Sequence, residues 1–134
     1  MELGTDHRAR ILVVEDDPHI QLLLRHLLRS SYHLDVAVTF SEALRIADQQ
    51  AFDLFLIDLN LGPGPTGIDL LEALRAIPTH RTTPAVSCTA YTIGDNEDRE
   101  RFLSFGFDAY LEKPFRSEQL RALIASSLYG HSAT

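Results

Sequence analysis

Residues 53–61 read DLFLIDLNL: four consecutive apolar side chains, Leu54-Phe55-Leu56-Ile57, that stop at a carboxylate, Asp58. A strand with one wet face alternates apolar and polar residues. An unbroken apolar run this short fits a strand buried on both faces. A second such run, Ile11-Leu12-Val13-Val14, also ends on acids, here Glu15, Asp16 and Asp17. Weaker runs follow at Leu34 to Val38, Ala85 to Cys88 and Ala109-Tyr110-Leu111.

Segments of helical period separate these runs. Asp17-Pro18 opens the first, with Pro at the first helical position, and Ile20, Leu23, Leu24, Leu27 and Leu28 recur behind it. Ser41 is the expected cap of the second, which carries Ala43, Leu44 and Ala47. Thr66 and Asp69 have capping-box spacing ahead of Ile68, Leu71 and Leu74. An acidic stretch, Asp95 to Arg101, leads to Phe102 and Phe105 and stops at Gly106. Ser117 starts the last helix, with Leu120, Leu123, Ile124 and Leu128, and Gly130 ends it. Five apolar runs alternating with five helices predict an α/β domain: a doubly wound, five-stranded parallel sheet covered on both faces.

The 134 residues suffice for one domain with a real core, and 45% apolar with 23% charged residues is ordinary globular composition. The net charge of −7 and the absence of a Lys/Arg cluster argue against nucleic-acid binding. No run approaches the roughly 18 apolar residues of a membrane span, and Met1 to Arg10 lack the apolar core of a signal peptide. The lone cysteine, Cys88, cannot pair within the chain; it reads as a small buried hydrophobe in a reducing, cytoplasmic setting. The six histidines show no close ligand pair and read as surface or partly buried side chains.

In open α/β sheets ligands gather at the carboxyl ends of the central strands. At those ends stand Glu15, Asp16 and Asp17 after the first run, Asp58 after the third, Thr89 after the fourth and Lys113 after the fifth. Singly, each acid is more often a cap or a solvated charge, and Asp17 before Pro18 is expected to be a helix N-cap only. Jointly they place carboxylates, a hydroxyl and an ammonium in one crevice. Crowded carboxylates repel unless a cation intervenes, and hard oxygen ligands favour Mg²⁺. Lys113, the Thr89 hydroxyl and the Ala90 N–H would neutralise a transferring phosphoryl group, with Asp58 as the nucleophile.

The pieces ILVVEDDP (11–18), DLFLIDLNL (53–61), TGIDLLEALR (66–75), PAVSCTAY (84–91) and DAYLEKPF (108–115), in this order and spacing, resemble the receiver domain of two-component response regulators. The resemblance spans about residues 8 to 130, leaving 1–7 and 131–134 as tails. It implies the flavodoxin-like strand order 2-1-3-4-5. It implies Asp58 as phosphoacceptor, Mg²⁺ bound by Asp16 and Asp58 directly, by Glu15 through water and by the Asn60 carbonyl, and phosphate contacts from Thr89, Ala90 and Lys113. Thr89 and Tyr110 match the hydroxyl and aromatic that move together in the switch. The implied partners are a histidine kinase or histidine phosphotransfer protein and a downstream protein target. The face of the last helix-strand-helix unit, about Asp95 to Leu128, would receive that target or a second copy of the chain. His19, Ile20 and Leu23 are candidate contributors to partner specificity. Such a domain promotes its own phosphotransfer and dephosphorylation only, and is not otherwise an enzyme.

The chain departs from the family pattern in three places. Glu15 replaces the commoner Asp, the loop Gly62 to Gly67 is one residue longer, and Tyr91 follows Thr89 by two positions, where its bulk is expected to slow self-dephosphorylation. The rival reading is a receiver-like adaptor that is never phosphorylated; every residue whose loss would favour it is present. A P-loop is excluded because the Gly-rich loop carries no lysine. A flavodoxin-like cofactor phosphate would be repelled after the first strand, and an aspartate phosphatase would want an acid where Asn60 stands. The chain fits a free-standing regulator or the receiver of a hybrid kinase equally.

Overall fold

Arg10 to Val14 and Leu54 to Asp58 form adjacent strands, and from Ile11 to Val14 and Leu54 to Asp58 every residue is buried. The computed structural model describes residues 8–59, 66–89, 100 and 103–129. Its elements are β1 (Arg10–Val14), α1 (Pro18–Leu28), β2 (His33–Ala37), α2 (Phe40–Gln49), β3 (Leu54–Asp58), α3 (Gly67–Arg75), a 3-10 turn (Pro78–His80), β4 (Ala85–Thr89), β5 (Ala109–Glu112) and α4 (Ser117–Tyr129). The five strands are parallel in the order β2-β1-β3-β4-β5. That is the strand order implied by the resemblance.

The period of two along each strand sorts the core onto two faces. Leu12, Val14, Phe55 and Ile57 pack with Ala43 and Ala47 of α2 and Leu70, Leu71 and Leu74 of α3. Ile11, Val13, Leu54, Leu56, Val86 and Cys88 pack with Leu24 and Leu28 of α1 and Leu120 and Ile124 of α4. Each central strand therefore needs apolar side chains at successive positions, which is why its sequence does not alternate. In register, Val14 lies beside Ala37 and Ile57, Asp58 beside Cys88, and Thr89 beside Glu112. The carboxyl ends of the strands are thus nearly level.

The helix starts follow local chemistry. Asp17 caps α1, accepting from the His19 N–H at 2.9 Å, with Pro18 at the first position. Thr66 and Asp69 form the expected reciprocal capping box of α3. At α2 the expectation fails: the cap is Thr39, not Ser41. Thr39 Oγ1 accepts from the Glu42 N–H, and the Glu42 carboxylate accepts from the Val38 N–H at 2.7 Å. Thr39 stands three residues before Glu42, the spacing that satisfies the first free N–H groups, and Ser41 falls inside the first turn. The predicted helix between Asp95 and Gly106 lies largely outside the described residues; Glu100, Leu103 and Ser104 are helical, and Gly106 takes a positive φ of 104°. Four α-helices are complete or nearly so among the described residues, against five predicted.

His80 corrects the reading of the histidines. It is fully buried: Nε2 is within hydrogen-bond reach of the Ala47 and Gln50 carbonyls, Nδ1 faces Thr83 Oγ1 at 3.2 Å, and the ring meets Phe55 edge-on. Two backbone acceptors on Nε2 fix a tautomer in which Nε2 donates and Nδ1 accepts. Nearby, Arg75 donates to the His80, Thr83 and Gly106 carbonyls, tying the end of α3 to the segments that lead into β4 and β5.

Gly67 opens α3 directly against the end of β3. A Cβ there would sit 2.5 Å from the Asp58 carbonyl oxygen and 2.9 Å from Leu59 Cα. Both neighbours are backbone and cannot swing away. Gly67→Ala is therefore expected to destabilise the domain by about 1–3 kcal/mol, as overpacking does. Denaturant melts of the two proteins check this, and equal midpoints would contradict it.

Candidate functional site

β1 delivers Glu15 to the top of the sheet one residue past its last pair, where the Glu15 N–H still donates to the Ala37 carbonyl at 3.1 Å. β3 delivers Asp58 as its own last residue. β5 ends at Glu112 and leaves Lys113 to reach back over two strands. Its Nζ lies 2.9 Å from Glu15 Oε1 and 3.3 Å from Asp58 Oδ2. Glu15 is 2% exposed and Asp58 5%. One ammonium is thus shared between two buried carboxylates.

Asp16 stands beside this pair but faces solvent. One oxygen from each of Glu15, Asp16 and Asp58 can lie within 4.8 Å of the others. Among the described residues, three acids against one ammonium leave the crevice short of positive charge. Its donors are all hard oxygens, one open to solvent, and this fits a divalent ion such as Mg²⁺ that retains some of its waters. Glu15 Oε2 also accepts from the Asp17 N–H at 3.1 Å, so both its oxygens already have partners.

The electrostatics follow from burial. Desolvation raises the Glu15 carboxyl, the Lys113 hydrogen bond lowers it and the Asp58 charge raises it, for a net position of about 7. Burial lowers the Lys113 ammonium, but the Glu15 hydrogen bond and the charges of Asp58 and Glu15 outweigh it and raise the net value. Cys88, beside Asp58 in register, is pushed up to about 12, first by burial. At neutral pH it is a protonated, unreactive thiol, as the sequence suggested.

Of the expected site residues, Glu15, Asp16, Asp58 and Lys113 lie together in one crevice. Thr89 is the last residue of β4; its side chain, and all of Asn60, Ala90 and Tyr91, lie outside the described residues. Tyr110 is half-buried in β5 next to Ser87 of β4. Sequence reading missed Gln21, whose side-chain amide donates to the Glu15 carbonyl at 2.6 Å. The only signal for it was a polar residue one turn into an otherwise apolar helix face.

The raised Glu15 carboxyl fixes a pH dependence. Its unfolded value is near 4.5 and its folded value near 7, so its contribution to stability is fully present below about pH 4.5 and is lost as pH rises through 7. In chelator, wild-type Tm should fall relative to Glu15→Gln across that window, and parallel curves for the two would contradict the burial argument.

No helix among the described residues is long and apolar enough to cross a membrane. The family model of the response regulator receiver domain matches residues 11–125. The chain is 39% identical over 114 residues to the transcriptional activator protein PfeR of Pseudomonas aeruginosa, an alignment that covers 84% of this chain and 35% of that protein. The chain therefore corresponds to about a third of that relative's length. Among solved structures, the chemotaxis response regulator CheY4 of Vibrio cholerae is 29% identical with a TM-score of 0.82, covering 90% of this chain and 99% of that one. The receiver domain of the sensor histidine kinase PA1611 from Pseudomonas aeruginosa PAO1, solved with a magnesium ion in its active-site cleft, is 31% identical with a TM-score of 0.79, covering 90% and 98%. Strand order, the acidic crevice and these matches agree: the chain belongs to the response regulator receiver domains of two-component phosphorelay systems.

Proposed function

We propose that this chain, over residues 8–130, is a phosphorylation switch that accepts a phosphoryl group on Asp58 from a phosphohistidine donor. The observation that carries the reading is the Lys113 ammonium held between buried Glu15 and Asp58, with Asp16 at the mouth of the same crevice. In the transfer, an Asp58 carboxylate oxygen bonds to phosphorus as the phosphorus–nitrogen bond of the donor breaks, and that electron pair returns to the imidazole. Charge builds on the phosphoryl oxygens, so positioning and neutralisation dominate the catalysis. Lys113 supplies a positive charge beside Asp58, and by the family resemblance the Thr89 hydroxyl and the Ala90 N–H would supply donors. Mg²⁺, when bound, would be held by Asp16 and Asp58 directly, by Glu15 through water and by the Asn60 carbonyl, and it supplies the remaining positive charge. The magnesium ion in the active-site cleft of the PA1611 receiver supports the choice of Mg²⁺.

The acyl phosphate then favours an arrangement in which Thr89 and Tyr110 move together and reshape the face of β5, α4 and the segment 95–106. That face is the proposed contact for a downstream target or a second copy. On the opposite side of the crevice, α1 presents Leu22, 68% exposed, and Leu23 between His19 and His26. This apolar patch supports docking of a cytoplasmic histidine kinase or phosphotransfer protein beside Asp58; Ile20, in contrast, packs against the core.

Intact mass after incubation with a small phosphodonor and Mg²⁺ tests the reading. Wild type should gain one phosphoryl group, lost when Mg²⁺ is chelated before reaction, and Asp58→Asn should gain none. No gain by wild type under any donor or metal condition would leave an unphosphorylated adaptor, with Asp58 reduced to a structural acid.

A further inference from the structure

Asp16 is the exposed member of the acidic trio, and among the described residues no side-chain hydrogen bond or ion pair aims it. Its backbone, by contrast, is held on both sides. The Gln21 side-chain amide donates through Nε2 to the Glu15 carbonyl at 2.6 Å. The Gln21 backbone N–H donates to the Asp17 carbonyl at 3.0 Å, the first helical bond of α1. The first carbonyl belongs to the peptide that enters Asp16, and the second lies one peptide beyond the one that leaves it. The Glu15 N–H bond to Ala37 and the Asp17 N–H bond to Glu15 Oε2 complete the frame.

We infer that Gln21 is a positioning residue for the metal site: its amide grips the carbonyl of the peptide that enters Asp16, and with the Asp17 N–H bond to Glu15 Oε2 holding the peptide that leaves it, this sets the direction in which the Asp16 carboxylate departs the backbone. A helical residue at this place would make the backbone bond whatever its side chain. The amide bond to Glu15 is the part that only Gln21 supplies. A carbonyl tied at short range cannot rotate its peptide, so the Asp16 Cα–Cβ direction is fixed before a cation arrives. Groups that orient metal ligands in this way commonly change metal affinity about tenfold when removed. The inference rests on the proposed metal role of Asp16.

The test is a Mg²⁺ titration of the metal-free protein, followed by the amide NMR shifts of Glu15 to Asp17, in wild type, Gln21→Met and Gln21→Arg. Gln21→Met keeps the length and loses the donor; its Kd for Mg²⁺ should rise about tenfold. Gln21→Arg keeps a donor, and its charge opposes the cation, so binding tighter than in Gln21→Met isolates the hydrogen bond. An unchanged Kd in Gln21→Met, or Gln21→Arg no better than Gln21→Met, overturns the role of the amide. A Gln21→Met protein that melts earlier without Mg²⁺ yet binds it with the wild-type Kd also overturns it, since the amide would then be a helix tie only. Wild type that binds no Mg²⁺ overturns the metal site itself, and with it this inference.

Discussion

Two carboxylates sunk in the end of a parallel sheet share one ammonium, and much of the structure serves that arrangement. Glu15 and Asp58 are almost fully enclosed, and without a cation between them their charges would repel across a region of low dielectric. Lys113 must come from β5, two strands away from β3 and three from β1, so the bridge exists only because all the strands run parallel and end level. Parallel pairing requires a crossover between successive strands, and α1, α2 and α3 are crossovers that help bury the two sheet faces. The Gly67 backbone, pressed against the Asp58 carbonyl, shows how tightly the floor of the crevice is packed.

The bridge also leaves the crevice unsatisfied. One ammonium faces three acids, the most buried of which is pushed toward protonation at neutral pH. A divalent ion bound among these acids would relieve the imbalance. The same shortage that makes it costly to fold around makes it responsive.

The fold was legible because burial on both sides of a sheet leaves a direct trace: Leu54 to Ile57 and Ile11 to Val14 have no polar residue to turn outward. Asp17 with Pro18, and Thr66 with Asp69, announced their helices because caps need particular atoms at fixed spacing. Thr39 was passed over in favour of Ser41 because two hydroxyl residues stood close together and only the position of Glu42 decides between them. The site was legible for a related reason. Acids and a lysine at strand ends carry meaning once the strand ends are known to be adjacent. His80, Arg75 and Gln21 were not legible, since their roles depend on backbone carbonyls from distant segments that no side-chain pattern reveals. A buried histidine and a surface histidine look alike until Ala47 and Gln50 are placed beside the ring.

The central claim is that Asp58, and not a neighbouring carboxylate, carries the phosphoryl group. Borohydride reduction of an aspartyl phosphate yields homoserine at the acceptor position, and peptide mapping after reaction with a phosphodonor and Mg²⁺ reads that position directly. The account predicts homoserine at residue 58 alone. Homoserine at residue 16 or 17, or reductive loss at Glu15, would contradict it and would move the nucleophile to the β1 end of the crevice.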